Sequence, residues 1–264
     1  MKYEFNKKEH LHTLDGVALT GTSSIGNVLA KPLTWWASGK ALEQLGWTNP
    51  KIVPKEEGIK IAGKARKNFF ITNADYYDWL QECYKNHATS LKESAEKGTD
   101  LHAELEKFVK AEMGIWNYEI EDLDKRILPF VNWAKENVKQ FLWSEANCFD
   151  EELWVGGISD AGCELKDGRL AVIDFKSSKA AYPTSFLQTA GYAIQIEKNG
   201  LFHESGLANK KVEGRFGALI VVPFGAEVVM PEIRYEVEPY KLGFRQAVGL
   251  YRLLGMDEKI KENK

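Results

Sequence analysis

Apolar positions recur at helical spacing through the first half of the chain and at strand spacing through the second. Ile25, Val28 and Leu29 follow Ser23 and Ser24, either of which suits a helix cap. Pro32 then opens a second helix with Leu33, Trp36, Ala37, Ala41 and Leu45 on one side and Gly46 at its end. Residues 1–20 read as an irregular or extended lead-in, and residues 47–68 as a basic loop. Residues 72–113 read as helical, with Asn73 as a cap. Leu123, Ile127, Phe130, Val131, Ala134 and Val138 mark a further helix over 122–139. The period then changes. Residues 140–148, 152–164 and 169–176 read as extended, 184–198 as helix, 214–223 and 228–237 as strands, and 239–255 as a closing helix.

A helical third followed by β-β-β-α-β and a helix is α/β or α+β, with a mixed sheet flanked by helices. No stretch is long or polar enough to mark a linker. The expectation is one domain over 1–264, with a helical N-terminal region at 1–95, a core at 96–225 and a C-terminal strand and helix at 226–264.

At 264 residues with 44% hydrophobic and 28% charged positions, the chain has enough apolar material to build a core without staples. Its formal charge of −3 excludes a strongly basic coat protein but allows a local basic groove. The stretch MKYEFNKKEH lacks the apolar core of a signal peptide, and no window approaches the ~20 apolar residues of a membrane span. The three cysteines, Cys83, Cys148 and Cys163, are too few for a four-cysteine cluster and form no CxxC pair. A disulfide framework is not expected, which points to a reducing, cytoplasmic setting.

The sharpest chemistry lies at Asp174-Phe175-Lys176, where a strand ends. Side chains at i and i+2 share a face, so Asp174 and Lys176 point together while Phe175 packs on the other side. Upstream, Gly156-Gly157-Ile158-Ser159-Asp160 leads through Lys166-Asp167-Gly168 into the same strand, and the two strands should form a hairpin. If Lys166-Asp167-Gly168 is a three-residue loop, Leu165 faces Arg169 and Asp160 faces Asp174. A two-residue Asp-Gly loop would turn Asp160 to the opposite face. A shared site therefore predicts the longer loop with Gly168 in the left-handed region, or a bulge. Two facing carboxylates repel unless a cation lies between them, and oxygen ligands suit Mg²⁺ or Mn²⁺. Beyond the hairpin, Gln188 and Tyr192 share a helix face at i,i+4. Earlier, His102 lies beside the stripe of Leu101, Leu105, Phe108 and Val109, with Gly98 one turn before it.

In order and spacing, Gly98–His102, Gly157–Asp160, Asp174–Lys176 and Gln188–Tyr192 resemble the RecB-type branch of the PD-(D/E)XK nuclease superfamily. Residues 23–37 resemble the opening segment of its phage-type exonucleases. The resemblance covers about residues 20–225. It implies a restriction-endonuclease-like fold and hydrolysis of DNA to 5′-phosphate products, in recombination, repair or replication within a bacterial or phage-infected cell. It further implies that Asp160, Asp174 and the backbone carbonyl of Phe175 hold Mg²⁺ or Mn²⁺, with His102 as a further ligand. No iron–sulfur cluster is expected. Lys176 would orient and activate the attacking water, and Gln188 and Tyr192 would support the site. Glu145 is a candidate extra ligand or supporting acid. Ser177, Lys179, Lys64, Arg66 and Lys67 are candidate DNA contacts, since clustered cations gain from counterion release.

An exonuclease acting on DNA ends or single strands, with a possible recombination or single-strand-binding partner, is the reading these residues favour. The alternatives are a structure-specific endonuclease on the same core and a catalytically silent DNA-binding subunit of a recombination complex. No motif fixes the oligomeric state.

Overall fold

The apolar runs at 170–176 and 216–223 do not alternate with polar residues. This is the pattern of strands buried on both faces, and both runs lie inside a sheet with helices on its two sides. A computed structural model describes residues 2–29, 42–43, 48, 53–67, 83, 100–115, 123–202, 208–225 and 229–256. The chain divides into two compact units, residues 1–30 with 98–264, and residues 31–97.

The first unit opens with strands β1 (Tyr3–Asn6), β2 (Leu11–Leu14), β3 (Val17–Ala18) and β4 (Thr20–Gly21), followed by the short helix α1 (Thr22–Ile25). The second unit contains α2 (Lys55–Lys67). The first unit resumes with helix α3 at 100–112, α4 (Leu128–Asn137), β5 (Val138–Asp150), β6 (Val155–Leu165) and β7 (Leu170–Lys176). It ends with α5 (Pro183–Asn199), β8 (Leu201–Phe202), β9 (Ala208–Lys210), β10 (Phe216–Pro223), β11 (Glu232–Arg234) and α6 (Val237–Leu253).

β1, β2 and β3 form a small antiparallel sheet. The main sheet runs β11-β10-β7-β6-β5-β8-β9, with β4 joined to β6. It is mixed: β10 lies parallel to β7, while β6 is antiparallel to both β5 and β7. The odd residues Ala171, Ile173 and Phe175 of β7 pack with Leu105 and Phe108 of α3 and Phe130 of α4. The even residue Val172 joins Phe186, Ala190 and Ala193 of α5 on the other face. This is a mixed α/β architecture with a central sheet flanked by helices.

Several expectations need correction. Residues 3–18, placed in a helical N-terminal region, are extended, as the reading of the lead-in allowed. They pair as strands, because Tyr3, His12 and Leu14 alternate into a buried cluster with Leu19 and Phe149. α1 begins at Thr22 after Gly21, so Ser23 and Ser24 lie within its first turn and do not cap it. Residues 55–67 are helix rather than loop. Gly58 and Gly63 lower the propensity, yet Glu56 and Glu57 sit in the first turn, matching the helix dipole. Of the expected helix from Pro32 only residues 42–43 are described, and they are helical; the Asn73 cap lies outside the described residues. Among the described residues, no helix is long and apolar enough to cross a membrane.

β6 carries its glycines for space. A Cβ at Gly162 would overlap the ring of Trp143 on β5, which is buried and donates its indole N–H to Ser159 Oγ at 3.1 Å. Gly162→Ala should therefore destabilise the protein by about 1–3 kcal/mol as the indole and its strand shift. Urea unfolding checks this; an unchanged midpoint would contradict the packing.

Candidate functional site

Everything in the site follows from how β6 and β7 are joined. The hairpin closes as Leu165 N–H donates to the Arg169 carbonyl and Gly168 N–H to the Leu165 carbonyl. Gly168 takes φ +87°, so the loop is the three-residue form. The register runs from Glu164 opposite Leu170 to Ala161 opposite Ile173. One step further along that register lie Asp160 and Asp174, just past the last paired residues.

The paired ladder stops at that step. At the far end of the same edge of β6, β4 pairs in parallel through Thr20–Val155 and Gly21–Gly156. Gly157–Asp160 thus lie at a fork between two partners. Since Leu165 and Arg169 form a hydrogen-bonded pair, the two-residue repeat of the antiparallel ladder would aim Phe175 N–H at the Ser159 carbonyl. That N–H donates instead to Asp160 Oδ2 at 2.6 Å. The carboxylate is held by the main chain of its neighbour strand.

Asp174 is fully buried. Lys176 Nζ lies 2.8 Å from its Oδ1 and donates a hydrogen bond there. Oδ2 lies 2.7 Å from the same ammonium but has no hydrogen-bond partner. Burial pushes the Asp174 carboxyl up to about 7, with Lys176 opposing and Asp160 adding to the rise. For Lys176, burial favours the neutral amine, but Asp174 and Asp160 outweigh it and its pKa is raised.

His102 enters from α3. Its Nε2 lies 3.6 Å from Asp160 Oδ2 and 3.9 Å from Glu145 Oε1, and its ring meets Phe175 edge-on at 5.7 Å. Burial would lower its pKa, but Asp160, Glu145 and Glu106 carry it upward. Glu145 is pushed up to about 7, first by burial and then by Asp160. Its backbone takes φ +51° within β5, near two register shifts, a conformation uncommon for a side chain of this size.

His102, Glu106 and Glu145 each place a potential ligand atom within 4.8 Å of the others. Glu106 is the residue that sequence reasoning missed. Its signal was present, since it lies one helical turn beyond His102 on the same face. Neither Asp160 nor Asp174 is part of this compact group, so the charged side chains fall into two adjoining sets: Asp160 with Asp174 and Lys176, and His102 with Glu106 and Glu145.

On the α5 side, Gln188 Nε2 donates to Tyr192 OH at 2.8 Å, as the i,i+4 spacing predicts. Tyr192 is buried, and burial followed by the charges of Asp174 and Asp160 raises its phenol well above 10. Gly157 lets that helix approach, because a Cβ there would lie 2.8 Å from Tyr192 Cε1 and 2.9 Å from Thr22 Oγ1. Ser177 and Lys179 are exposed just after β7. Lys64, Arg66 and Lys67 lie on α2, in the other unit, with side chains outside the described set. No protein-family model matches the chain, and no curated protein matches it.

The sign of the Asp174 shift gives a test. A carboxyl raised from 3.8 to about 7 disfavours the folded state once the unfolded chain ionises, so its penalty grows as pH rises from about 4 to 7 and then levels. Its facing groups are Lys176, Asp160 and His102. Without metal, Asp174→Asn should match wild type near pH 4 and exceed it at pH 8 by a few kcal/mol. Thermal unfolding in chelator at both pH values measures this. A lower midpoint for the variant at pH 8 would contradict it.

Proposed function

We propose that this chain is a divalent-metal-dependent deoxyribonuclease of the RecB-type branch of the PD-(D/E)XK superfamily, with a restriction-endonuclease-like sheet. One observation carries the reading: the end of a single hairpin gathers Asp160, bonded by Phe175 N–H, and Asp174, bonded by Lys176, with His102 closing in on Asp160 from α3. The phage-exonuclease resemblance of residues 23–37 favours an exonuclease on DNA ends or single strands, with recombination, repair or replication as its context.

The donor set fits Mg²⁺ or Mn²⁺. It is rich in carboxylate oxygen, with the buried Asp174 carboxylate held by a single ammonium, Lys176. Asp160 and Asp174 would hold the ion, with His102, Glu145 and Glu106 beside them. Bound there, it neutralises phosphate charge and makes a coordinated water more acidic.

The chain's own groups do the rest. Phe175 N–H fixes the Asp160 carboxylate, so its orientation does not depend on a flexible side chain. Lys176 gives one donor to Asp174, and its remaining donors are placed to orient a water or meet a non-bridging phosphate oxygen. Gln188 donates to the Tyr192 hydroxyl, which leaves the phenolic proton to be given to an acceptor at the site.

The test is a time course on end-labelled single-stranded, linear duplex and closed circular DNA with Mg²⁺, Mn²⁺ or chelator. Metal-dependent loss of linear strands with circles spared is expected. Asp174→Asn and Lys176→Met should each slow it by at least roughly a hundredfold. Cutting of circles would replace the exonuclease with an endonuclease. Undiminished cleavage by Asp174→Asn would overturn the site.

A further inference from the structure

We propose that the cavity beside the His102–Glu106–Glu145 group receives an unpaired nucleobase of a single strand, so that the attached phosphate is presented to the acidic site. The identity of the strand rests on the nuclease reading. The cavity itself stands on separate observations.

Its volume is about 640 Å³, and its walls include Phe5 of β1, Glu106 of α3, Ser144, Glu145 and Asn147 of β5, and Phe202 of β8. Glu106 and Glu145 also belong to the candidate metal group, so the same side chains border both spaces. The aromatic walls are held in place from behind. Phe5 stacks on His12 at 4.5 Å, and Phe202 packs against Phe149 at 4.8 Å. Half-buried, each offers a braced ring to the cavity.

The polar wall is unusual. Asn147 is only 3% exposed, and its Oδ1 has no hydrogen-bond partner. Ser144 Oγ is likewise buried and unpartnered. Buried polar atoms without partners are rare in folded proteins, and a ligand that donates a hydrogen bond satisfies them. The cavity therefore asks for a flat apolar body with N–H donors on its edge, and its size lies within the roughly 300–1,000 Å³ typical of small-ligand pockets. A nucleobase has that form: a π-face that stacks on aromatic rings and an edge bearing N–H groups. Lys7, His10 and Lys110 also line the cavity, and Lys110 pairs with Glu106, so the walls carry both signs; the aromatic rings favour the base end, with the phosphate left at the metal side. A lipid tail has no donor for Asn147.

The experiment compares two short fluorescein-labelled single strands of equal length and charge, one with bases and one abasic. Binding is measured by anisotropy in Mg²⁺ to the full chain carrying Lys176→Met, which slows cleavage. The base-bearing strand should bind roughly tenfold tighter or more. Adding Asn147→Leu should shrink that advantage severalfold and leave the abasic affinity unchanged. It should leave the melting midpoint equal or higher, because an apolar group of similar shape replaces an unpartnered buried acceptor. Phe5→Leu should shrink the advantage as well.

Equal affinities for the two strands would overturn the proposal and make the cavity a protein-contact surface. A base advantage that Asn147→Leu leaves intact, with a lowered midpoint, would also overturn it and assign Asn147 to the fold alone. If metal-dependent cleavage persists while the strands bind equally, only the cavity assignment fails. If neither strand binds and no DNA is cut, the nuclease reading fails with it.

Discussion

Gly168, at φ +87°, closes the β6–β7 hairpin over three residues, and that loop length sets the register that carries Asp160 and Asp174 to its end. Because β7 is buried on both faces, the register has little freedom to slip. Val172 is committed to the α5 side, and Ile173 and Phe175 to the other. Core packing thus fixes the positions of two carboxylates that would otherwise avoid each other.

The electrostatics show the consequence. Asp160, Asp174, Glu145 and Glu106 converge with three described cations, His102, Lys176 and Lys110, the last ion-paired with Glu106. Asp174 and Glu145 both titrate near neutrality, and burial is the main cause in each. A fold that served only stability would place apolar residues here, since buried charges rarely recover their desolvation cost. The cluster of carboxylates, the buried Asp174–Lys176 ion pair and the left-handed Glu145 backbone are departures of the kind that collect at functional sites.

Much of this was legible in the sequence, for physical reasons. The strands and helices after residue 128 follow from long periodic patterns, and the hairpin register follows from counting loop residues against a side-chain period of two. The Gln188–Tyr192 contact follows from helical geometry. What stayed hidden has equally specific causes. Bulges in β5 shift its register, and no residue pattern announces them, so Glu145 is placed by an irregularity. The strands at 3–18 and 201–210 are too short for alternation to stand out, and their pairing is decided by partners distant in sequence. Two glycines disguised α2 as a loop. The vacant hydrogen-bonding capacity of Asn147 is a property of the packed interior that no local pattern encodes.

The account turns on whether the hairpin register builds a cation site. Diffraction from crystals soaked in Mn²⁺, with anomalous data, addresses this directly. The account predicts a peak bound by both Asp160 and Asp174 on the edge of β6 next to Phe175. A peak held by His102, Glu106 and Glu145 without Asp174, or no peak in the fork, would contradict it.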